Sequence, residues 1–261
     1  MRLVGTYRRF STILALGLLA SFTRADQRFF AYTYEPKTLP KGAVEVEQWA
    51  TMRNSRDAGL YTRWDLRTEY EIGLTDRLTT AIYLNASNVY RQSDASVPAT
   101  NGMYFRGWSS EWKYKVLDPS ADPVGLLLYG EILVDRREWE AEGKVIVGKN
   151  IGNVVLAANG VFEQEWKAAF DASGDVATKS EQKVEATAAA AYRFGPYAVG
   201  AEARSHAVRE GDETASAFFV GPTVHASGER WWATLTLLKQ LTDEFSEHEK
   251  TETRLLLGFH L

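Results

Sequence analysis

The sequence predicts an all-β fold, an antiparallel transmembrane β-barrel of about 12 strands with short periplasmic turns and longer extracellular loops. Three observations predict it. Charged and apolar side chains alternate over long stretches, and tight turns and longer polar connections take turns in joining those stretches. The third is that no run of about 18 apolar residues is present for a helix to cross a bilayer. The mean hydropathy of −0.29 agrees, because polar alternate residues mask the apolar ones in a barrel strand.

The chain begins with Arg2, Arg8 and Arg9, an apolar stretch from Phe10 to Phe22, and Thr23-Arg24-Ala25. Basic residues before a short apolar run, with small residues three and one positions before a cut, are the pattern of an export signal over residues 1–25. These residues hold four arginines and no acid, so cleavage after Ala25 takes the net charge from −4 to −8. Residues 26–41 read as an N-terminal periplasmic lead-in. Phe29, Phe30, Tyr32 and Tyr34 there are expected to form an extra β-segment or to pack at the periplasmic rim.

The barrel is expected over residues 42–261. Its clearest strand runs from Leu60 to Leu74, where Leu60, Thr62, Trp64, Leu66, Thr68, Tyr70, Ile72 and Leu74 carry no charge. The interleaved Arg63, Asp65, Arg67, Glu69 and Glu71 are all charged. A helical period would mix these two sets on every face, whereas a strand sends successive side chains to opposite sides. The same template gives strands at 42–54, 58–74, 78–90, 104–117, 124–134, 139–149, 153–165, 182–195, 197–208, 214–226, 231–241 and 249–261.

Thr75 to Arg77, Lys149 to Gly152, Gly195-Pro196 and Ser227 to Arg230 are tight turns, with Asp118 to Pro123 a mid-length connection on the same side. Residues 91–103, 166–181 and 242–248 are longer and polar. Short turns at one rim and long loops at the other define the periplasmic and outer ends of such barrels. Tyr114, Tyr192, Phe194, Trp231 and Phe259 then fall near the periplasmic ends of the outward faces, and Trp108, Trp139, Phe162 and Phe218 near the outer ends. Two aromatic girdles result, as headgroup levels select. A soluble sandwich or lipocalin-like barrel shows similar alternation. Twelve strands with a charged exterior, however, would enclose a wide apolar interior needing a large ligand or a plug.

With 30 basic against 34 acidic residues the chain lacks a nucleic-acid footprint, so lipid of the outer membrane and small solutes are the expected partners. Without cysteine there is no disulfide, thiolate metal site or Cys nucleophile. The inward register holds Glu45, Glu47, Arg63, Asp65, Arg67, Glu69, Glu71, Glu111, Lys113, Glu131, Glu140, Glu142, Arg193, Glu202, Arg204 and Arg254 as lumen-lining candidates. Acids outnumber bases but both signs interleave, which suits either a mildly cation-preferring bore or a network of ion pairs across it. No catalytic residue, cofactor site or metal site is expected. Ser205 and His206 are adjacent and point to opposite faces of a strand, and Asp171 to Asp175 lacks the ligand spacing of a calcium loop.

Leu255-Leu256-Leu257-Gly258-Phe259-His260-Leu261 resembles the C-terminal strand that the outer-membrane barrel assembly machinery recognises. Leu39-Pro40-Lys41-Gly42 leading into Glu45-Val46-Glu47-Gln48-Trp49, and Gly73-Leu74-Thr75-Asp76-Arg77-Leu78, resemble segments of bacterial outer-membrane β-barrel families of unknown function, of transporter type. The resemblance implies outer-membrane location, assembly through Leu255 to Leu261, and passage of small solutes. A lipid-modifying enzyme and an occluded structural or surface-binding barrel are the alternatives.

Overall fold

The computed structural model describes residues 27–55, 59–170, 173–211, 213–242 and 249–261. The export signal expected at residues 1–25 lies outside them. Twelve strands form among the described residues: β1 Val44–Asn54, β2 Leu60–Thr75, β3 Leu78–Gln92, β4 Thr100–Leu117, β5 Gly125–Val134 and β6 Glu138–Ile151. The remainder are β7 Val154–Phe170, β8 Val176–Phe194, β9 Tyr197–Glu210, β10 Glu213–Ser227, β11 Trp231–Gln240 and β12 Thr251–His260. Each pairs antiparallel with the next, and β12 closes on β1 with Glu45 opposite His260 and Asn54 opposite Thr251. Closure removes both sheet edges, which hydrocarbon would otherwise leave without hydrogen-bond partners.

Period-two alternation positions every face. On β2 and β3 the outward Tyr70 and Ile82 are 51% and 56% exposed, while the adjacent inward Glu69 and Ala81 are each 1% exposed. Apolar side chains thus form the exterior and carboxylates the interior, the reverse of a protein dissolved in water. The aromatics expected at the two girdles, among them Trp108, Trp139, Tyr114, Tyr192 and Phe259, are exposed on the outer surface.

The stretch 166–181, expected as a loop, is mostly strand. β7 continues to Phe170 and β8 starts at Val176, with Trp166 opposite Ser180 and Phe170 opposite Val176. Polar residues there sit on both faces because the hairpin extends beyond the apolar belt. The hydropathy signal ends while the hydrogen-bond ladder goes on.

The packed core lies inside the bore, in its periplasmic half. Inward Leu127, Ile146, Phe219, Trp232 and Leu256 are inaccessible to solvent, and residues 27–41 lie against them. This differs from the expected place at the rim: Phe30, Ala31 and Leu39 are wholly buried within the barrel. Twelve strands enclose more space than their own side chains fill, and the apolar inward residues of this half would otherwise meet water. Phe30 packs on Val155, Ala157, Ala189, Ala191 and Ala198, a wall of small residues that leaves room for its ring.

Three glycines, Gly73, Gly125 and Gly148, mark the close approach of the segment to the wall. A Cβ at Gly73 would stand 2.1 Å from the carbonyl oxygen of Pro40, and one at Gly148 would stand 2.7 Å from Cδ of Pro36.

Candidate functional site: a plugged lumen beneath an outer vestibule

The segment 27–41 is seated by backbone recognition. Glu202 of β9 accepts hydrogen bonds from the N–H groups of Ala31, Tyr32 and Thr33 at 2.7, 2.9 and 2.8 Å, and from the Thr236 hydroxyl at 2.6 Å. One buried carboxylate therefore collects four donors, the arrangement in which such a charge is best satisfied. Asn159 of β7 holds both polar groups of Tyr34, accepting from its N–H at 2.7 Å and donating to its carbonyl at 2.9 Å. Thr234 donates to the carbonyl of Arg28, Thr38 donates to that of Asp76 at 2.9 Å, and the Thr79 hydroxyl accepts from the Leu39 N–H at 3.0 Å.

Aromatic and cationic side chains fill the space between segment and wall. The Arg28 guanidinium lies 3.9 Å from the Tyr34 ring centre and 4.6 Å from that of Trp49. Burial alone would lower the Arg28 pKa, but the surrounding acidic groups, Glu47 and Glu69 among them, outweigh it and hold the group above its ordinary value. Arg28 is therefore charged. Burial pushes the phenols of Tyr32 and Tyr34 up, so both remain neutral.

The expected lumen residues separate into three groups. Glu45, Glu47, Glu69, Glu71, Glu111 and Lys113 lie buried on β1 to β4 in the periplasmic half, with Lys113 Nζ at 2.5 Å from Glu71 and 3.2 Å from Glu111. Tyr83 donates to Glu111 and Trp232 donates to Glu45 at 2.7 Å. Arg193 lies at the periplasmic rim, donating to the Gly152 carbonyl at 2.9 Å, and Glu202 holds the plug. Arg63, Asp65, Arg67, Glu131, Glu140, Glu142, Arg204 and Arg254 line a cavity of about 580 Å³ toward the long-loop rim, which the rings of Tyr32, Tyr34 and Trp49 also line.

The vestibule is laced with ion pairs. Arg67 meets Glu131, Arg63 meets Asp65 at 2.8 Å, and Arg53 meets both Asp65 and Glu252. Arg204 reaches Glu185 at 2.6 Å and Glu252 at 3.0 Å. On β6 to β8, Lys144 pairs with Glu142 at 2.8 Å, and Lys183 with Glu163 and with Glu165 at 2.9 Å. Two carboxylate triplets, Glu69–Glu71–Glu111 and Glu138–Glu140–Glu165, bring oxygens within 4.8 Å of one another. Lys113 already stands against the first triplet, and Arg106, Lys167 and Lys183 against members of the second. Ser205 faces outward and His206 inward, where His206 Nδ1 is 3.4 Å from Glu185.

The sequence reading missed the parts played by Arg28, Asn159, Thr79 and Thr234, which meet only because the plug folds inward. Their one trace in the sequence is the set of inward small residues, Gly73, Gly148, Ala157, Ala189 and Ala191, clustered toward the periplasmic end of the register.

A model of a family of unknown function, DUF6662, matches residues 22–261, nearly the whole chain. The chain belongs to the DUF6662 family. No curated protein sequence matches it. Among solved structures, this DUF6662 barrel is similar to the COG4313 outer membrane channel of Pseudomonas putida. The two share 14% identity over 86% of this chain and 97% of that one, with a TM-score of 0.65. It is also similar to the NanC porin, at 9% identity over 84% and 100% of the two chains with a TM-score of 0.53. The β domain of the Bordetella autotransporter BrkA matches at 10% identity over 85% and 100%, with a TM-score of 0.56. These likenesses show that the DUF6662 chain has an outer-membrane β-barrel fold.

Proposed function

We propose that this chain is a gated outer-membrane channel for small solutes, open as a vestibule to the outside and closed from the periplasm by its own residues 27–41. The observation that carries the reading is the junction of the two: a charged cavity of about 580 Å³ ends on a segment held by hydrogen bonds to wall side chains rather than by a strand ladder. Contacts of that kind break one at a time, whereas a strand in the barrel cannot leave without opening an edge in lipid. The lining holds eleven acidic and nine basic side chains among the described residues, which favours a mild preference for cations.

The reading assigns no cofactor and no catalytic step. Export through residues 1–25 and assembly through Leu255 to Leu261 belong to it. Reconstitution into a planar bilayer tests it: discrete conductance steps with a mild cation preference are expected. Silence at all voltages, with lipid hydrolysis abolished by His206→Ala, would move the protein to the enzymes. Silence without hydrolysis would leave an occluded structural barrel, which the packed periplasmic half of the bore favours as the second reading.

A further inference from the structure

We propose that the vestibule binds a small linear zwitterion, with the ammonium end on Glu140 and the carboxylate end on Arg254. The site names a ligand class for the channel and rests on that reading for its purpose, though not for its chemistry.

The inference comes from which charges are already committed. Among the described residues, every lining arginine and lysine other than Arg254 is held in an ion pair with a carboxylate. On the wall formed by β5 to β8, every lining carboxylate except Glu140 is likewise paired. Glu140 and Arg254 sit on β6 and β12, six strands apart in either direction around the closed barrel, and so face each other across the bore.

Each is shaped for a ligand. Arg254 is oriented by Nε donating to the Thr51 hydroxyl at 2.9 Å, by Nη1 reaching the Ala31 carbonyl at 3.3 Å, and by stacking 4.0 Å from the centre of the Tyr32 ring. Among the described residues its Nη2 has no hydrogen-bond partner, which leaves it for an incoming acceptor. Carboxylates are the natural partners of a guanidinium fixed in this way. On the opposite wall Glu138 and Glu165, whose carboxylate oxygens lie within 4.8 Å of that of Glu140, are already met by Arg106, Lys167 and Lys183, so among the described residues Glu140 is the member of this triplet left for an incoming ammonium. A purely cationic solute leaves Arg254 unanswered and a purely anionic one leaves Glu140 so. A zwitterion satisfies both without adding net charge to the vestibule.

Isothermal titration of the full-length protein in neutral detergent, with 6-aminohexanoate, hexanoate and hexylammonium at equal ionic strength, separates these cases. The zwitterion is expected to bind about tenfold or more tightly than either singly charged probe, the scale of one added charge-assisted contact. Glu140→Gln should reduce its affinity to that of hexanoate, and Arg254→Gln to that of hexylammonium. Among the described residues the Glu140 side chain makes no hydrogen bond, so its variant tests the site without threatening the barrel. Equal affinities for all three probes, or a 6-aminohexanoate affinity unmoved by Glu140→Gln, would overturn the site. Binding in a protein that never conducts would retain the zwitterion site and remove the channel. Conduction with equal affinities would retain the channel and remove the site.

Discussion

Replacing Glu202 by alanine isolates the latch of the plug. The substitution strips four hydrogen bonds at once, from the N–H groups of Ala31, Tyr32 and Thr33 and from the Thr236 hydroxyl. A buried donor left without a partner costs about 1–3 kcal/mol. The Thr236 bond lies within the wall and is lost in both states, so with the low end of that range for each of the three plug N–H groups, because water can enter from the vestibule, the seated state loses about 3 kcal/mol. At about 1.4 kcal/mol per factor of ten, the ratio of displaced to seated plug rises roughly a hundredfold. The β9 ladder to β8 and β10 uses backbone groups alone, so the barrel itself persists. Protease added from the periplasmic side of oriented vesicles reads the outcome: Glu202→Ala should be cut within residues 27–41 far faster than the parent protein, with the barrel fragment intact. Cleavage at the parental rate in a folded variant would show that the carboxylate does not hold the segment.

Three other outcomes follow from the same geometry. Lysine at the exposed Leu128 should destabilise the barrel in vesicles by roughly 2–4 kcal/mol in a urea titration, while lysine at the vestibule-lining Leu133 of the same strand should cost little. Equal costs at the two sites would contradict the assignment of faces. Gly148→Leu, whose Cβ would stand 2.7 Å from Pro36, should loosen the plug and raise its protease sensitivity while leaving strand content by circular dichroism unchanged. Unchanged protection would mean that Pro36 does not pack there. Deleting Phe259 to Leu261 removes the partners of Val46 and Trp231 and opens the seam between β1 and β12, so fractionated cells should show the truncated chain in the periplasm or degraded. Parental levels in the outer membrane would contradict closure through this strand.

The barrel was legible because lipid and lumen impose opposite demands on adjacent residues, and nothing but a strand meets both. Leu66 beside Arg67, or Leu255 beside Arg254, carries that contrast in single steps of the chain. Where lipid is absent the contrast disappears, which is why the β7–β8 extension around Trp166 and Ser180 read as a loop. The plug was not legible for a related reason. Residues 27–41 are recognised mainly through their backbone, by Glu202 and Asn159, so their own side chains show no period. Phe30 and Tyr34 are aromatic enough to suit a membrane rim as well as a bore. Charge pairing across the lumen, as between Arg67 on β2 and Glu131 on β5, depends on how far the bore is filled, a quantity that alternation along one strand does not carry.

The most direct test of gating is the single-channel conductance of the full-length protein beside that of a chain lacking residues 27–38, with Leu39 to Lys41 kept to preserve the entry into β1. A plug that controls passage predicts brief, small openings in the parent and a stable, several-fold larger conductance in the deletion. Identical conductance in the two, with both barrels folded, would contradict it.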